Sequence, residues 1–168
     1  MQNVDWNTKV KEALDRTEFM AISTLGEDGS WTCPVQFGYS EKLRLYFKSM
    51  PYSKHIQNIL KDRRISVAIF KTERFPGPDR DVLGLQLKGT AERLTTREDV
   101  EEATRCYYGR DTRRLDHKSK VDEHMGENAE WNFFKITPTE LWCFDSRFFG
   151  EDRERVDLGI LTLNFRPQ

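Results

Sequence analysis

The sequence predicts a mainly β protein in which six or seven antiparallel strands form a closed or nearly closed barrel, with two or three short helices beside it. Three observations lead to this fold class: most apolar stretches have the period of strands, turn residues separate them at short intervals, and strands and helices do not alternate regularly. Closure is favoured because it removes exposed sheet edges. At 168 residues the chain has the length of one domain, so we expect a single domain over 1–168.

The first forty residues predict a helix and then a hairpin. Apolar side chains recur at helical spacing over 6–17, and Asp5 or Asn7 can cap the start of this helix. The apolar run 19–25 and the alternating stretch 31–39 flank the turn sequence GEDGS. In the second strand of this hairpin, bulky side chains alternate with small or polar ones, so we expect one apolar face and one thin, polar face.

Two further strands and a helix follow in the middle of the chain. The stretches 65–70 and 82–94 have strand patterns, and the Pro- and Gly-containing sequence over 72–81 predicts a loop between them. Thr95 and Glu98 have the spacing of a capping box, which predicts a helix of about three turns.

The last third of the chain is less regular. The stretch 109–130 is rich in charge, and within it we expect only a short helix over 120–124. The sequence over 131–144 predicts two strand pieces that Pro138 interrupts, because proline cannot donate to a ladder.

Composition excludes several function classes. The formal net charge is −1, from 27 basic and 28 acidic residues, so we expect no nucleic acid partner. No apolar run approaches the ~20 residues of a membrane span and the first residues do not resemble a signal peptide, so we expect a cytoplasmic protein without a membrane partner. The three cysteines lack CxxC spacing and the three histidines form no ligand pattern, so we expect reduced thiols and no metal site.

The junction in LYFKSMPYSKHIQNIL, residues 45–60, has the residues of an anion site. A strand gives way to a helix through Pro51, and Ser49, Ser53 and Lys54 lie around the helix start. Free backbone N–H groups, two hydroxyls and an ammonium group can therefore converge on a phosphate. The alternative is that Ser53 only caps the helix and Lys54 is solvated. His55 has two interpretations as well, an anion ligand or a solvated surface histidine.

Small residues on two strands favour a flat ligand beside this anion site. The thin face of 31–39 carries Thr, Pro, Gln and Gly, and Gly84 and Gln86 repeat the pattern on another strand. Little bulk at these positions lets a ligand approach the backbone closely. A phosphate site next to a thin slot indicates a phosphorylated aromatic cofactor.

The order of these stretches, over 19–39, 43–70 and 85–94, resembles the pyridoxamine 5'-phosphate oxidase-like superfamily of FMN-binding split barrels. Within it the similarity is to the general stress protein, or flavin-nucleotide-binding, branch, and it covers about residues 10–145. The resemblance implies an antiparallel split β-barrel of the FMN-binding type, FMN as the cofactor, and a homodimer with the cofactor site at the subunit interface.

The resemblance also implies which residues hold the cofactor. It assigns the phosphate to a Ser-Lys pair that falls on Ser53 and Lys54, with Lys48 and Ser49 before it, and it places Gln86 near the ring. The edge of the isoalloxazine maps onto four consecutive residues, largely through their backbone: Thr32, Cys33, Pro34 and Val35. An aromatic wall from the partner subunit would come from Trp131, Trp142 or Phe144, although aromatic residues in a closing strand are also typical of a core.

Departures from the family narrow the expected activity. Pyridoxamine 5'-phosphate oxidases carry an Arg and a Lys where this chain has Thr32 and Phe37, and 147–158 does not reproduce their Arg/His substrate motif. The resemblance therefore implies a flavin-dependent oxidoreductase whose small-molecule substrate and electron donor are unknown, and not vitamin B6 oxidation. The alternatives are a non-catalytic flavin-binding or stress-response protein, and the same fold with a deazaflavin or haem. No catalytic side chain is identified.

Overall fold

A computed structural model describes residues 4–70, 82–110, 120–126 and 128–163. The helices are α1 (Trp6–Asp15), α2 (Lys54–Lys61), α3 (Arg97–Tyr108) and the short α4 (Ser146–Phe149), with 3-10 turns at Asp122–His124 and Leu158–Ile160. The strands are β1 (Phe19–Gly26), β2 (Gly29–Gln36), β3 (Gly38–Tyr39), β4 (Leu45–Ser49), β5 (Arg64–Phe70), β6 (Leu83–Arg93), β7 (Asn132–Asp145) and β8 (Arg153–Val156).

All the strands belong to one antiparallel sheet, which curls until its two ends meet. The strand order is β2-β1-β5-β6-β7-β4-β3, with β8 beside β7. Only Phe37 separates β2 from β3, yet these two strands lie at opposite ends of the order. The sheet therefore closes on itself through one continuous segment of chain. The predicted mainly β split barrel is confirmed, and β2 with β3 counts as a single interrupted strand.

The barrel interior is the main hydrophobic core. Alternate residues of the strands point inward, among them Ile22, Val67 and Leu85. Leu14 of α1 and Ile59 of α2 pack against the same core. Because each fully buried aliphatic side chain contributes about 1.5–3 kcal/mol, this interior supplies most of the driving force for folding.

A second core lies outside the barrel, where α3 packs on β4 and β7. Tyr46 and Phe133 face Val100 and Cys106 in this cluster. Gly38 permits the close approach of α3, because a Cβ atom at this position would lie 2.4 Å from the carbonyl oxygen of Cys106. The two faces of β4 are therefore both buried, one by the barrel interior and one by α3.

Two predicted details are wrong. The N-cap of α3 is Thr96, whose hydroxyl accepts from the Asp99 N–H at 3.2 Å, because the sequence TTRED contains the capping spacing twice. Pro138 does not interrupt the closing strand: β7 runs through it, and the register of β6 against β7 shifts at Lys88 and Gly89, opposite this proline. A proline fits where the ladder is already irregular.

Other predictions of local structure are confirmed or lie outside the described residues. Asp5 caps α1 through the Thr8 N–H, as predicted, and the short helix expected over 120–124 is the 3-10 turn at Asp122–His124. The predicted loop 72–81 is outside the described part of the chain. Among the helices described, none has the length and apolar character needed to cross a bilayer.

Candidate functional site

The junction between β4 and α2 has the form that the sequence predicted, but Ser53 does not cap the helix with its side chain. Ser53 is the N-cap residue in extended conformation (φ −66°, ψ 144°). Its hydroxyl donates instead to the carbonyl oxygen of Met50 at 2.5 Å. The first backbone N–H groups of α2 therefore receive no acceptor from Ser53, and they remain available to an anion.

Ser49 and His55 complete a small polar cluster under the start of α2. The Ser49 Oγ lies 2.9 Å from the Ser53 Oγ and 2.8 Å from the His55 Nε2. Burial lowers the pKa of His55 below 6.5, so the imidazole is neutral at pH 7. The structure thus places His55 inside the predicted site and not on the solvated surface.

Asn132 is a member of this cluster that the sequence did not reveal. It is 1% exposed and pairs with Ser49 across the β4–β7 ladder. In the part of the chain that the structure describes, neither its Nδ2 nor its Oδ1 has a hydrogen-bond partner. Nothing in the local sequence around Asn132 indicates a site, because the ladder that brings it to Ser49 joins distant parts of the chain.

Lys54 lies at the exposed rim of the junction. Its Nζ is 2.6 Å from Asp28 Oδ2 and 4.7 Å from the centre of the Trp31 ring, and both partners come from the β1–β2 hairpin. The hydrogen bond from Lys54 lowers the pKa of the Asp28 carboxyl. An anion at the start of α2 would therefore compete with a carboxylate for this ammonium group.

Lys48 is not brought to the junction. It neighbours Ser49 in β4, and successive side chains of a strand point to opposite faces. Its Nζ lies 3.0 Å from the Tyr108 hydroxyl and 5.5 Å from the centre of the Trp131 ring, on the side of α3. The implied phosphate residues Ser49 and Ser53 thus lie together, whereas Lys48 is separated from them by the sheet.

The residues expected at the ring edge divide between the two faces of β2. Val35 is 8% exposed and belongs to the barrel core, and Cys33 packs against that core. Burial raises the pKa of the Cys33 thiol to about 11, so this thiol is protonated at neutral pH. Thr32 and Pro34 alternate with them and face outward. Because side chains alternate along β2, only Thr32 and Pro34 of these four residues present their side chains to a ligand on the outward face.

Thr32 and Gln86 line a cavity of about 520 Å³ on the outward face of the sheet. The floor of this cavity consists of small residues: Ala21, Ser23, Ser66 and Ala68. Gln86 accepts a hydrogen bond from Arg153 at 2.6 Å, and the Trp142 indole N–H donates to Glu140 at 2.7 Å. The cavity is thus a groove with a floor of small side chains and one aromatic side chain in its lining, at the strands where the sequence predicted little bulk.

The comparisons with known proteins agree with this architecture. The family model of pyridoxamine 5'-phosphate oxidase matches residues 7–142 of the chain. The chain belongs to the pyridoxamine 5'-phosphate oxidase family. No curated protein matches it in sequence.

Solved structures show that the fold of this family extends over nearly the whole chain. A heme-binding protein from Mycobacterium smegmatis superposes with a TM-score of 0.69 at 14% identity, over 95% of this chain and 60% of that protein, so this chain spans little more than half of its length. A conserved hypothetical protein from Mycobacterium tuberculosis has a TM-score of 0.70 at 16% identity, over 92% and 93% of the two chains. A protein from Clostridium acetobutylicum related to general stress protein 26 has a TM-score of 0.62 at 12% identity, over 92% and 95%.

Proposed function

We propose that this chain binds FMN, with the phosphate at the junction between β4 and α2, and that it acts as a flavin-dependent oxidoreductase. The observation that carries the proposal is the start of α2. Its N–H groups receive no side-chain cap from Ser53, and the hydroxyls of Ser49 and Ser53 lie beside them. The positive end of the helix dipole adds to their attraction for an anion.

The residues present fit a phosphate ester. Ser53, the helix start and Lys54 would hold it, once Lys54 exchanges its bond to Asp28, and the Ser53 hydroxyl its bond to the Met50 carbonyl, for bonds to the phosphate. Bound FMN would supply the site where a hydride or electrons are accepted and returned. The chain's own part is to anchor and orient the cofactor. Trp31 of β2 lies under Lys54, so the backbone of β2 can border the flavin ring of a cofactor whose phosphate lies at this lysine.

The outward groove supports a homodimer as the working form. Ala68 and Ser66 in its floor leave a flat surface, and the family's sites are built between two subunits. We propose that a second copy of the chain covers this face and that Trp142 contributes to the interface. Ala68→Arg should then convert the dimer to a monomer in light scattering, whereas Glu101→Arg on the exposed surface of α3 should leave it dimeric.

A flavin accounts for the site better than haem does. The heme-binding neighbour from Mycobacterium smegmatis makes haem the competing ligand. Among the described residues, however, both imidazoles are already engaged: the His55 Nε2 by Ser49, and the two ring nitrogens of His124 by Tyr108 and the Trp131 carbonyl. An axial bond to iron from any of these three nitrogens would require its hydrogen bond to break, which leaves only the His55 Nδ1 among the ring nitrogens of these two histidines.

The absorption spectrum of the purified protein separates these cofactors, and mutagenesis tests the anchor. Ser53→Ala with Lys54→Ala should weaken FMN binding by about 30- to 900-fold, because charge-assisted bonds to phosphate are worth about 1.5–3 kcal/mol each and do not add fully. Affinity for riboflavin, which lacks the phosphate, should not change. Lys61→Ala is the matched control, since Lys61 pairs with Glu27 of the same hairpin at 2.9 Å. Equal loss for FMN and riboflavin would refute the phosphate assignment.

The oxidoreductase part of the proposal has its own test. The FMN-loaded protein should lose its flavin absorption when NADH or NADPH is added without oxygen, and regain it in air. A protein that binds FMN but is not reduced by either nucleotide would be the non-catalytic flavin-binding protein instead.

A further inference from the structure

Asn132 faces the polar cluster under α2. Residues paired in an antiparallel ladder point to the same face, and Asn132 pairs with Ser49. Two residues further along each strand, the rings of Phe134 and Phe47 stack at 5.3 Å, and Phe47 also lies 6.4 Å from the His55 ring. The side of the sheet that carries Asn132 is therefore the side that carries His55.

The amide of Asn132 has hydrogen-bonding capacity that the described chain does not use. It is 1% exposed, and both of its polar atoms lack partners there. A buried polar group without a partner is unfavourable, and most such groups in folded proteins are satisfied. Among the described residues the other buried asparagine is Asn58, and it follows that rule, because its Nδ2 donates to the Thr24 hydroxyl at 3.1 Å.

We infer that Asn132 is a further ligand of a phosphoryl group at this junction, with its Nδ2 donating to a phosphoryl oxygen held between Ser49, Ser53 and the start of α2. The inference rests on the phosphate site proposed above and extends it by a residue from a distant strand. The groups that meet there are hydroxyls, an amide and backbone N–H groups, which are donors that an oxyanion satisfies together.

Inorganic phosphate is the probe, because it does not depend on recognition of the flavin. Isothermal titration should show phosphate binding to the wild-type protein at constant ionic strength. Asn132→Leu removes one neutral donor and should weaken binding about 3- to 10-fold. Asn132→Asp sets a carboxylate against the anion and should weaken it by about 30-fold or more.

Thermal stability separates a ligand residue from a structural one. Asn132→Leu should not lower the melting temperature of the ligand-free protein, since it removes an unsatisfied amide and adds apolar volume. Asn58→Leu is the matched control: it should lower the melting temperature by breaking the bond to Thr24, and it should leave phosphate affinity unchanged. A lower melting temperature for Asn132→Leu with unchanged phosphate affinity would overturn the inference.

Parallel titrations with FMN distinguish this inference from the proposed function. If the wild-type protein binds FMN and both Asn132 variants bind it equally well, the inference is wrong and the FMN site stands. If the wild-type protein binds phosphate but not FMN, and the variants lose phosphate affinity, Asn132 is a phosphate ligand and the FMN proposal is wrong. Absence of binding to both probes would refute both statements.

Discussion

The two faces of β4 carry similar polar groups but use them differently. On the α3 side, Lys48 donates to the Tyr108 hydroxyl at 3.0 Å, Tyr108 and the His124 Nε2 are 3.1 Å apart, and the His124 Nδ1 lies 2.9 Å from the Trp131 carbonyl oxygen. On the α2 side, Ser49 contacts Ser53 and His55, and Asn132 has no partner in the described chain.

The difference shows how structural and functional polar groups can be distinguished on one strand. Hydrogen bonds on the Lys48 face link β4, α3 and the 3-10 turn at Asp122–His124 into one network, and a fully connected network of this kind stabilises a fold. On the Ser49 face, the N–H groups at the start of α2 receive no cap from Ser53 and the amide of Asn132 has no described partner, which lowers stability unless a ligand bonds to them. We therefore expect substitutions on the Lys48 face to change stability, and those on the Ser49 face to change ligand affinity.

The largest effect should come from His124→Ala. This histidine is 4% exposed, bonds on both ring nitrogens and packs edge-on against Phe133 at 4.7 Å. We expect the free energy of unfolding in urea to fall by about 2–4 kcal/mol, from lost packing and unsatisfied partners together. His55→Ala, on the other face, is the comparison and should cost less than half as much. Equal costs would remove the distinction between the faces.

Tyr108→Phe should have the next largest effect. The phenol oxygen joins Lys48 to His124, so its loss leaves the buried His124 and the half-buried Lys48 without this partner. The free energy of unfolding should fall by about 1–3 kcal/mol. FMN affinity measured by flavin fluorescence should stay within twofold of the wild-type value, and a large loss of affinity would mean that the two faces are coupled.

A pair of lysine substitutions tests the implied role of Lys48 directly. Lys48→Met should lower the free energy of unfolding by about 1 kcal/mol, through the lost bond to Tyr108, and should not weaken FMN binding. Lys54→Met should do the reverse, because its exposed ion pair with Asp28 contributes little to stability. If Lys48→Met weakened FMN binding more than Lys54→Met, the assignment of the phosphate to the α2 side would be wrong.

The smallest expected effect concerns how the free energy of unfolding depends on pH. Burial lowers the pKa values of His124 and His55 below 6.5 in the folded protein. The unfolded chain therefore takes up protons first as the pH falls, and stability decreases from pH 7.5 towards pH 6 by up to about 0.8 kcal/mol for each histidine. His124→Gln should reduce the slope of stability against pH in this range. A stability that rose on acidification would contradict these pKa directions.

Where local signals were sufficient, the sequence was a good guide. The cap and spacing of α1, the β1–β2 hairpin and the turn from β4 into α2 each depend on residues within about one helical turn or one hairpin of one another. The same locality explains why Ser49, Ser53 and Lys54 could be selected as a site. It also explains why Thr95 was predicted as the cap of α3. Two overlapping capping patterns in TTRED fit the local sequence equally well, and only the packed helix selects Thr96.

The sequence by itself determined the fold class and predicted an anion site at the start of α2, because strand alternation and the residues of a helix start can be recognised among near neighbours in the chain. Tertiary structure alone decided that Asn132 lies beside Ser49, that Lys48 belongs to the α3 side, and that Gln86 and Thr32 share a groove. The physical reason is strand pairing. Register between distant segments fixes which side chains face each other, and no short stretch of the chain encodes that register.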